Sequence, residues 1–293
     1  AEGVTEVSAG DIATLELSLE DTDTGYVQIG SESTSFVDVM RIVADDADEP
    51  VSVDINTRTL GTDVENEDVV YSPGDNVDTF ESAIYTGVTS PSGPYLYDND
   101  GNNLGSFTAY LDEMGINNDA GGTEQITRPL QATSYDVVAA STDTDDGLFD
   151  ADDGGEANTQ LASKTLRLTQ PTLGDITVHT APGDNADADT NVSELVSAAT
   201  PTEEVAIDDR LIVQIEATGL FGSIVANQGT EADDVDFDLN NDQVSTQRFN
   251  RLASTDRYTF EIEATGSTGN ANAKTVDIAG DSGGHDSTDV VVV

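Results

Sequence analysis

The stretch "SFVDVMRIV" at residues 35–43 decides the fold, because apolar and polar side chains alternate along most of its length. Alternation with a period of two residues is typical of a β-strand that buries one face. Helical spacing is limited to two short segments, 76–85 and 191–199. We therefore predict an all-β protein. The same alternation recurs in "DIATLELSL" (11–19), "YVQIG" (26–30), "VSVDI" (51–55), "LIVQIEA" (211–217), "VDFDLN" (235–240) and "YTFEIEA" (258–264).

The chain is strongly acidic, with 58 acidic and 10 basic residues and a formal charge of −48 over 293 residues. Such a charge repels itself in dilute buffer and opposes compaction. At about 1 M salt the screening length falls to roughly 3 Å, and the repulsion largely disappears. High charge also occurs in disordered chains, but the alternating segments argue against disorder here. We expect a folded protein adapted to molar salt.

Several classes of function and location are constrained by what the sequence lacks. No basic patch is present to neutralise phosphates, so binding to nucleic acid is excluded. Without cysteine, neither a disulfide framework nor a thiolate metal site can form. No apolar run reaches about 18 residues, so we predict no membrane span in this chain. Whether Ala1 is an original start or follows a removed signal peptide stays open.

The length predicts two domains. The weakest strand signal lies in the Asp/Gly-rich segment 141–160, and Pro171 interrupts the strand pattern that follows it. We place the N-terminal domain at 1–169 and the C-terminal domain at 170–293. A loop insertion at about 90–130 interrupts the first domain. Long loops of this kind are often functional or ordered by a metal.

Six segments resemble, in content and order, the BGTF-type surface region of haloarchaeal cell-surface glycoproteins. The chain departs from that pattern in the insertion at about 90–130 and in the acidic loop at 141–160. The resemblance implies a secreted, extracellular cell-surface protein with two β-sandwich (Ig-like) domains and long acidic loops. The segments are "GDIATLELSLEDTDTGYVQIGSES" (10–33), "PVSVDINTRTLG" (50–61), "SYDVVAAS" (134–141), "LRLTQPTLGDITVHTAPG" (166–183), "IDDRLIVQIEATGLFGSIVA" (207–226) and "DRYTFEIEAT" (256–265).

Two loops of the first domain carry oxygen ligands at spacings that suit calcium. Calcium takes about six to eight oxygens, and short Asp/Asn/Gly loops can supply them. The alternative is that these carboxylates only hold a hydrated, salt-adapted surface. The loop "DNDGNN" is not an EF-hand, because Asn103 stands where that motif needs Gly. The predicted ligands of structural calcium are Asp98, Asp100 and Asn102 in one loop and Asp143, Asp145, Asp150 and Asp152 in the other.

The pentapeptide "GDSGG" at 280–284 matches the nucleophile loop of chymotrypsin-like proteases. Ser282 would be the nucleophile and His179 the base, in the order His, Asp, Ser along the chain. The cysteines and the proline that usually accompany the motif are absent. Glycine-rich Asp/Ser segments form turns readily, so we interpret the pentapeptide as a turn and predict that the chain is not an enzyme.

Two weaker signals concern glycans. Asn191 begins the sequon "NVS", which fits N-glycosylation of an exposed, secreted segment. Tyr95 and Tyr97 share a face of the insertion if it is extended, as in a carbohydrate contact. An adhesin or carbohydrate-binding surface module is therefore the alternative function, with glycans or other cell-surface proteins as partners.

The chain ends in "DVVVV", a β-branched run that must pair with a sheet. It either completes a sheet of its own domain or adds to an open edge of a second copy. Head-to-tail exchange of this kind generates polymers when it does not close on itself. The leading hypothesis is a structural protein that self-assembles as an extracellular filament or S-layer-like component. The predicted assembly strand is Val290, Val291, Val292 and Val293.

Overall fold

The structure is a computed structural model, and the fold described below rests on part of the chain. Residues outside the following ranges are not described. The described residues are 3–19, 22–64, 67–85, 96–98, 104–116, 125, 128–140, 148–151, 153–182, 192–202, 204–205, 209–226, 237, 243–244, 252, 258–260, 262 and 290–291.

The protein is all-β, as the alternating segments predict. Its strands are β1 (Gly3–Ser8), β2 (Ile12–Leu17), β3 (Thr24–Ser31), β4 (Phe36–Ala44), β5 (Val51–Asn56), β6 (Tyr71–Pro73), β7 (Val77–Ser82), β8 (Leu96–Tyr97), β9 (Ser134–Ala140), β10 (Phe149–Asp150), β11 (Glu156–Ala157), β12 (Gln160–Thr169), β13 (Leu173–Pro182), β14 (Thr200–Pro201), β15 (Asp209–Ala217), β16 (Gln243–Val244) and β17 (Val290–Val291).

The helices in the described residues are short. They are α1 (Phe107–Glu113), α2 (Val192–Ala198) and α3 (Phe221–Ala226), with 3-10 turns at Glu32–Thr34 and Glu67–Val69. The helical spacing at 191–199 corresponds to α2. The spacing at 76–85 does not give a helix, because residues 77–82 form β7 and pair with β4. Pairing with a neighbouring strand outweighs local helical periodicity here.

The chain forms two compact units. The first unit is residues 1–171 with 218–226, and the second unit is 172–217 with 227–293. The predicted boundary between 169 and 170 and the two-sandwich description stay predictions. The short segment 218–226 belongs to the first unit, although its neighbours on both sides along the chain belong to the second.

A six-stranded sheet in the order β1-β12-β9-β3-β4-β7 organises the first unit. The strands β1 and β12 are parallel, and the other neighbours are antiparallel. An antiparallel sheet, β2-β5-β6, lies against one face, since Tyr71 of β6 contacts Phe80 of β7 with ring centroids 5.0 Å apart. The first unit is therefore built from layered sheets.

The opposite face of the six-stranded sheet is covered as well. Val37 and Val39 of β4 pack in one cluster with Tyr110 of α1 and Phe149 of β10. Both faces of β4 are consequently buried, and every residue from Phe36 to Met40 is buried. The expectation of one buried face is wrong for this strand, because α1 and the small sheet β11-β10-β8 cover the second face.

A buried glutamine ties that covering layer to the sheet. Gln28 of β3 donates from Nε2 to the carbonyl of Gly155, 2.7 Å away, and its Oε1 accepts from the hydroxyl of Tyr110 at 2.8 Å. Ser106 caps α1 by accepting from the N–H of Ala109 at 3.1 Å. Because these polar groups are paired, their burial costs little.

The segment 218–226, which we name the return segment, is held by the loop between β1 and β2. The carboxylate of Asp11 accepts from the N–H groups of Gly219 at 2.7 Å and Phe221 at 3.1 Å. The N–H of Gly222 donates to the carbonyl of Gly10 at 2.8 Å. A Cβ on Gly222 would collide with that carbonyl and with the side chain of Asn56, so the close approach of the two backbones requires glycine.

The second unit contains the antiparallel sheet β14-β13-β15 and the pair β16-β17. Ile176 lies opposite Ile215, and Val178 lies opposite Val213, so these apolar side chains share a face.

Replacement of Asp11 by alanine should lower the free energy of unfolding by about 1 to 2 kcal/mol, because two N–H groups at the start of α3 lose their charged acceptor. Urea unfolding in molar NaCl measures the change. Asp48→Ala removes the same charge from an exposed position and is the matched control. Equal stability of the two variants would contradict this role of Asp11.

Candidate functional site

The most unusual polar group in the first unit is the carboxyl group of Asp38, which is 0% exposed in the middle of β4. Its Oδ2 accepts from the hydroxyl of Tyr71 at 2.7 Å and from the hydroxyl of Ser82 at 2.6 Å. Its Oδ1 accepts from the N–H of Ile84 at 3.3 Å. These donors come from β6, β7 and the residues after β7, so one carboxyl group joins both sheets.

Burial raises the pKa of Asp38 to about 6 from an ordinary value of 3.8, while the hydrogen bonds from Ser82 and Tyr71 act in the opposite direction. Burial also raises the pKa of Tyr71, and the charge of Asp38 raises it further. Tyr71 therefore stays protonated and can donate. Since the carboxyl group is enclosed, we interpret it as a structural junction and not as a group that meets a substrate.

The acidic composition hid Asp38 from sequence analysis. It is one of 58 acidic residues, and it occupies what looked like the wet face of a strand. Its immediate neighbours offered one signal, because Val37 and Val39 are β-branched and the run "FVDVM" contains four apolar residues out of five. A continuous run of this kind is typical of a strand that is buried on both faces.

Predicted calcium ligands of both loops lie on or next to neighbouring strands. β8 and β10 are parallel, with Leu96 opposite Phe149 and Tyr97 opposite Asp150. Asp98 directly follows β8, so it lies beside the strand that contains Asp150. The remaining predicted ligands lie outside the described residues: Asp100, Asn102, Asp143, Asp145 and Asp152.

The described residues contain no group of three or more His, Cys, Asp or Glu side chains that could hold a metal ion. Calcium binding by the two loops therefore stays a prediction.

The predicted assembly strand pairs within its own chain. Val290 lies opposite Val244, and Val291 lies opposite Gln243, in an antiparallel pair of two residues on each side. Val292 and Val293 lie outside the described residues, as do Asn191, Ser282 and Tyr95. The observed pairing is the intramolecular alternative, and it involves few backbone groups.

His179 lies on β13, with Ile212 of β15 opposite it. Its two ring nitrogens are buried and have no hydrogen-bond partner within the part of the chain that is described. Because Ser282 is outside that part, nothing connects His179 with the pentapeptide at 280–284.

The sheet β14-β13-β15 exposes large apolar side chains. Leu173 is 68% exposed and Ile176 is 58% exposed on β13, and Ile215 on β15 is 39% exposed. Ile176 and Ile215 face each other across the two strands. Contiguous exposed apolar side chains commonly mark an interaction surface.

One protein family, Domain of unknown function (DUF7827), matches residues 1–97. The matched residues run from β1 to β8 and include Asp38, Tyr71 and Ser82. No curated protein and no solved structure matches the chain. Among the described helices, none has the length and apolar character needed to cross a bilayer.

Asp38→Asn should change the pH dependence of stability. Because folding raises the pKa of Asp38, its stabilising contribution is complete below pH 3.8 and is lost as the pH rises through about 6. The wild-type chain should therefore lose about 2 kcal/mol relative to Asp38→Asn between pH 4 and pH 7. Urea unfolding in molar NaCl across this range measures the difference.

Asp136→Asn is the matched control, because Asp136 is an exposed residue of β9 in the same sheet. The other carboxylates titrate alike in all three proteins, so the comparison isolates position 38. A constant difference between wild type and Asp38→Asn over the whole pH range would contradict burial of an ionisable group there.

Proposed function

We propose that the chain is a non-enzymatic structural protein of a haloarchaeal cell surface, which assembles with copies of itself into an extracellular filament or S-layer-like coat. The exposed apolar surface of β13 and β15 is the observation that carries self-assembly. A chain with a formal charge of −48 has many charged side chains that can cover its surface. The exposure of Leu173, Ile176 and Ile215 on neighbouring strands therefore supports a contact with a second copy.

The charge and the proposed environment are consistent with one another. Copies of a strongly acidic chain repel each other in dilute buffer and can approach closely only where salt screens their charges. Apolar contacts, in contrast, do not depend on screening and are strengthened by salting-out ions. Molar salt therefore favours an assembly through apolar side chains.

The terminal strand provides a second contact. In the described part of the second unit, Val290 and Val291 pair with Val244 and Gln243. The same backbone pairing can be made by the equivalent residues of a second copy, as in strand exchange. If each copy pairs its terminal strand with the next copy, head to tail, the result is a polymer.

The double variant Ile176→Thr/Ile215→Thr should shift assembly to higher protein concentration, by about tenfold or more if two isoleucines become buried in the contact. Threonine keeps the β-branched shape, so the sheet itself should persist. Light scattering and electron microscopy in molar NaCl measure assembly. Thr177→Ser, on the other face of β13, is the control. Unchanged assembly of the double variant would contradict this surface.

Deletion of residues 287–293 tests the terminal strand in the same assay. Soluble, folded monomers would support exchange between copies, whereas a misfolded chain would show that the strand is needed within its own unit. Val291→Pro removes one backbone N–H, and Val291→Thr keeps it. Equal assembly of these two variants would contradict a paired strand.

We also propose structural calcium at the edge of the small sheet where β8 and β10 both end. Because these strands are parallel, Asp98, which follows β8, lies near the end of the neighbouring strand that contains Asp150. Carboxylate oxygens are the ligands that calcium prefers.

Chelation of calcium in constant molar NaCl should lower the melting temperature of the chain. Binding at about 100 times the dissociation constant stabilises a protein by about 2.7 kcal/mol, so loss of the ion removes that amount. In Asp150→Asn the response to calcium should shrink, and in Asp136→Asn it should be unchanged. A melting temperature that is the same with and without chelator would contradict a structural site.

A further inference from the structure

A groove of about 240 Å³ opens on the first unit between β6 and β7. Three aromatic rings line it, from Tyr71, Phe80 and Tyr85. The ring of Tyr71 lies 5.0 Å from that of Phe80 and 5.9 Å from that of Tyr85, measured between centroids. The rings therefore form a continuous aromatic wall.

Three acidic side chains contribute to the lining, together with Pro73, Val77 and Ser82. Glu67, Asp68 and Asp78 line the groove, and its described lining includes no lysine, arginine or histidine. Partial burial raises the pKa of Glu67, and the neighbouring charge of Asp68 raises it further. Two carboxylates held side by side repel each other, so a bound positive charge would be stabilised by both.

Hydrogen bonds to the protein interior hold two rings of the aromatic wall in position. The hydroxyl of Tyr71 donates to the buried carboxyl group of Asp38 at 2.7 Å. The hydroxyl of Tyr85 accepts from the N–H of Gly61 at 2.8 Å. Because both hydroxyls are engaged inside the protein, these rings are held in place before any ligand arrives, which lowers the entropic cost of binding.

We propose that this groove binds a small organic cation of the alkylammonium or guanidinium class. Such a cation is attracted by the faces of aromatic rings and by carboxylates at the same time. A metal ion does not suit the lining, because no three carboxylate or histidine side chains of the described residues converge on one point. A volume of about 240 Å³ holds a group of this size with room for water.

High salt sharpens the choice of ligand. At about 1 M salt only charges in direct contact attract each other, so carboxylates farther away contribute little to the binding of a cation. The remaining attraction to carboxylates does not favour a bound sodium or potassium ion over the same ion in solution. The interaction with aromatic rings survives, because it requires contact and a weakly hydrated cation. The groove therefore selects an organic cation over sodium or potassium.

Titration with tetramethylammonium chloride, replacing NaCl at constant chloride concentration, tests the proposal with the full-length chain. Aromatic proton–carbon NMR spectra should show saturable shifts for the rings of Phe80 and Tyr85. In Phe80→Leu the dissociation constant should rise about 2- to 5-fold, because one aromatic face is lost. In Glu67→Gln it should rise by a similar factor, because one contact charge is lost.

Glu16→Gln, an exposed carboxylate on β2 outside the groove, is the matched control and should bind as the wild type does. Glu67 is on the surface, so Glu67→Gln remains informative if Phe80→Leu proves unstable. The proposal is overturned by shifts that do not saturate, by equal binding of wild type and both groove variants, or by the same response to potassium chloride. The proposal is also overturned if a neutral sugar causes the saturable shifts and tetramethylammonium does not, because the ligand would then be a carbohydrate.

Discussion

The first unit depends on β3 and β4 being covered on both faces, because every residue at 26–30 and at 36–40 is buried. The sheet β2-β5-β6 supplies one cover, and α1 with the small sheet β11-β10-β8 supplies the other. A chain with so few basic residues can balance little of its charge by ion pairs. Stability must therefore come from apolar burial, and two covered faces bury more apolar surface than one.

Polar groups fix how these layers meet. Asp38 connects the central sheet to β6, and Gln28 connects it to α1 and to the turn before β11. Apolar side chains alone tolerate sliding of one layer over another, whereas a buried carboxyl group loses much of its stabilisation when its donors move away. Each of the two covers thus has a buried, hydrogen-bonded side chain that helps to hold it in position.

Alternation of apolar and polar residues was enough to predict the class of fold and the strands β2, β3, β4, β5 and β15. The roles of individual acidic residues could not be predicted, since burial of Asp38 depends on a second cover formed by residues far away in sequence. The same reason applies to Asp150, which the pairing of β8 with β10 places opposite Tyr97, the residue before Asp98. At 77–82, pairing with β4 decided a conformation that local spacing predicted wrongly. The match to residues 1–97 includes β1, whose partner β12 lies beyond it, so the matched residues contain only part of the six-stranded sheet.

The return segment has a consequence for how the protein is made. Asp11 and Phe221 are 210 residues apart, yet they share a hydrogen bond in the first unit. Synthesis proceeds from the N-terminus, so Asp11 leaves the ribosome long before its partner exists. The first unit can be completed only after residue 226 has emerged, when part of the second unit has already been synthesised. The two units therefore cannot fold strictly one after the other. The loop between β1 and β2 gains its contacts with the return segment only after most of the chain has been synthesised.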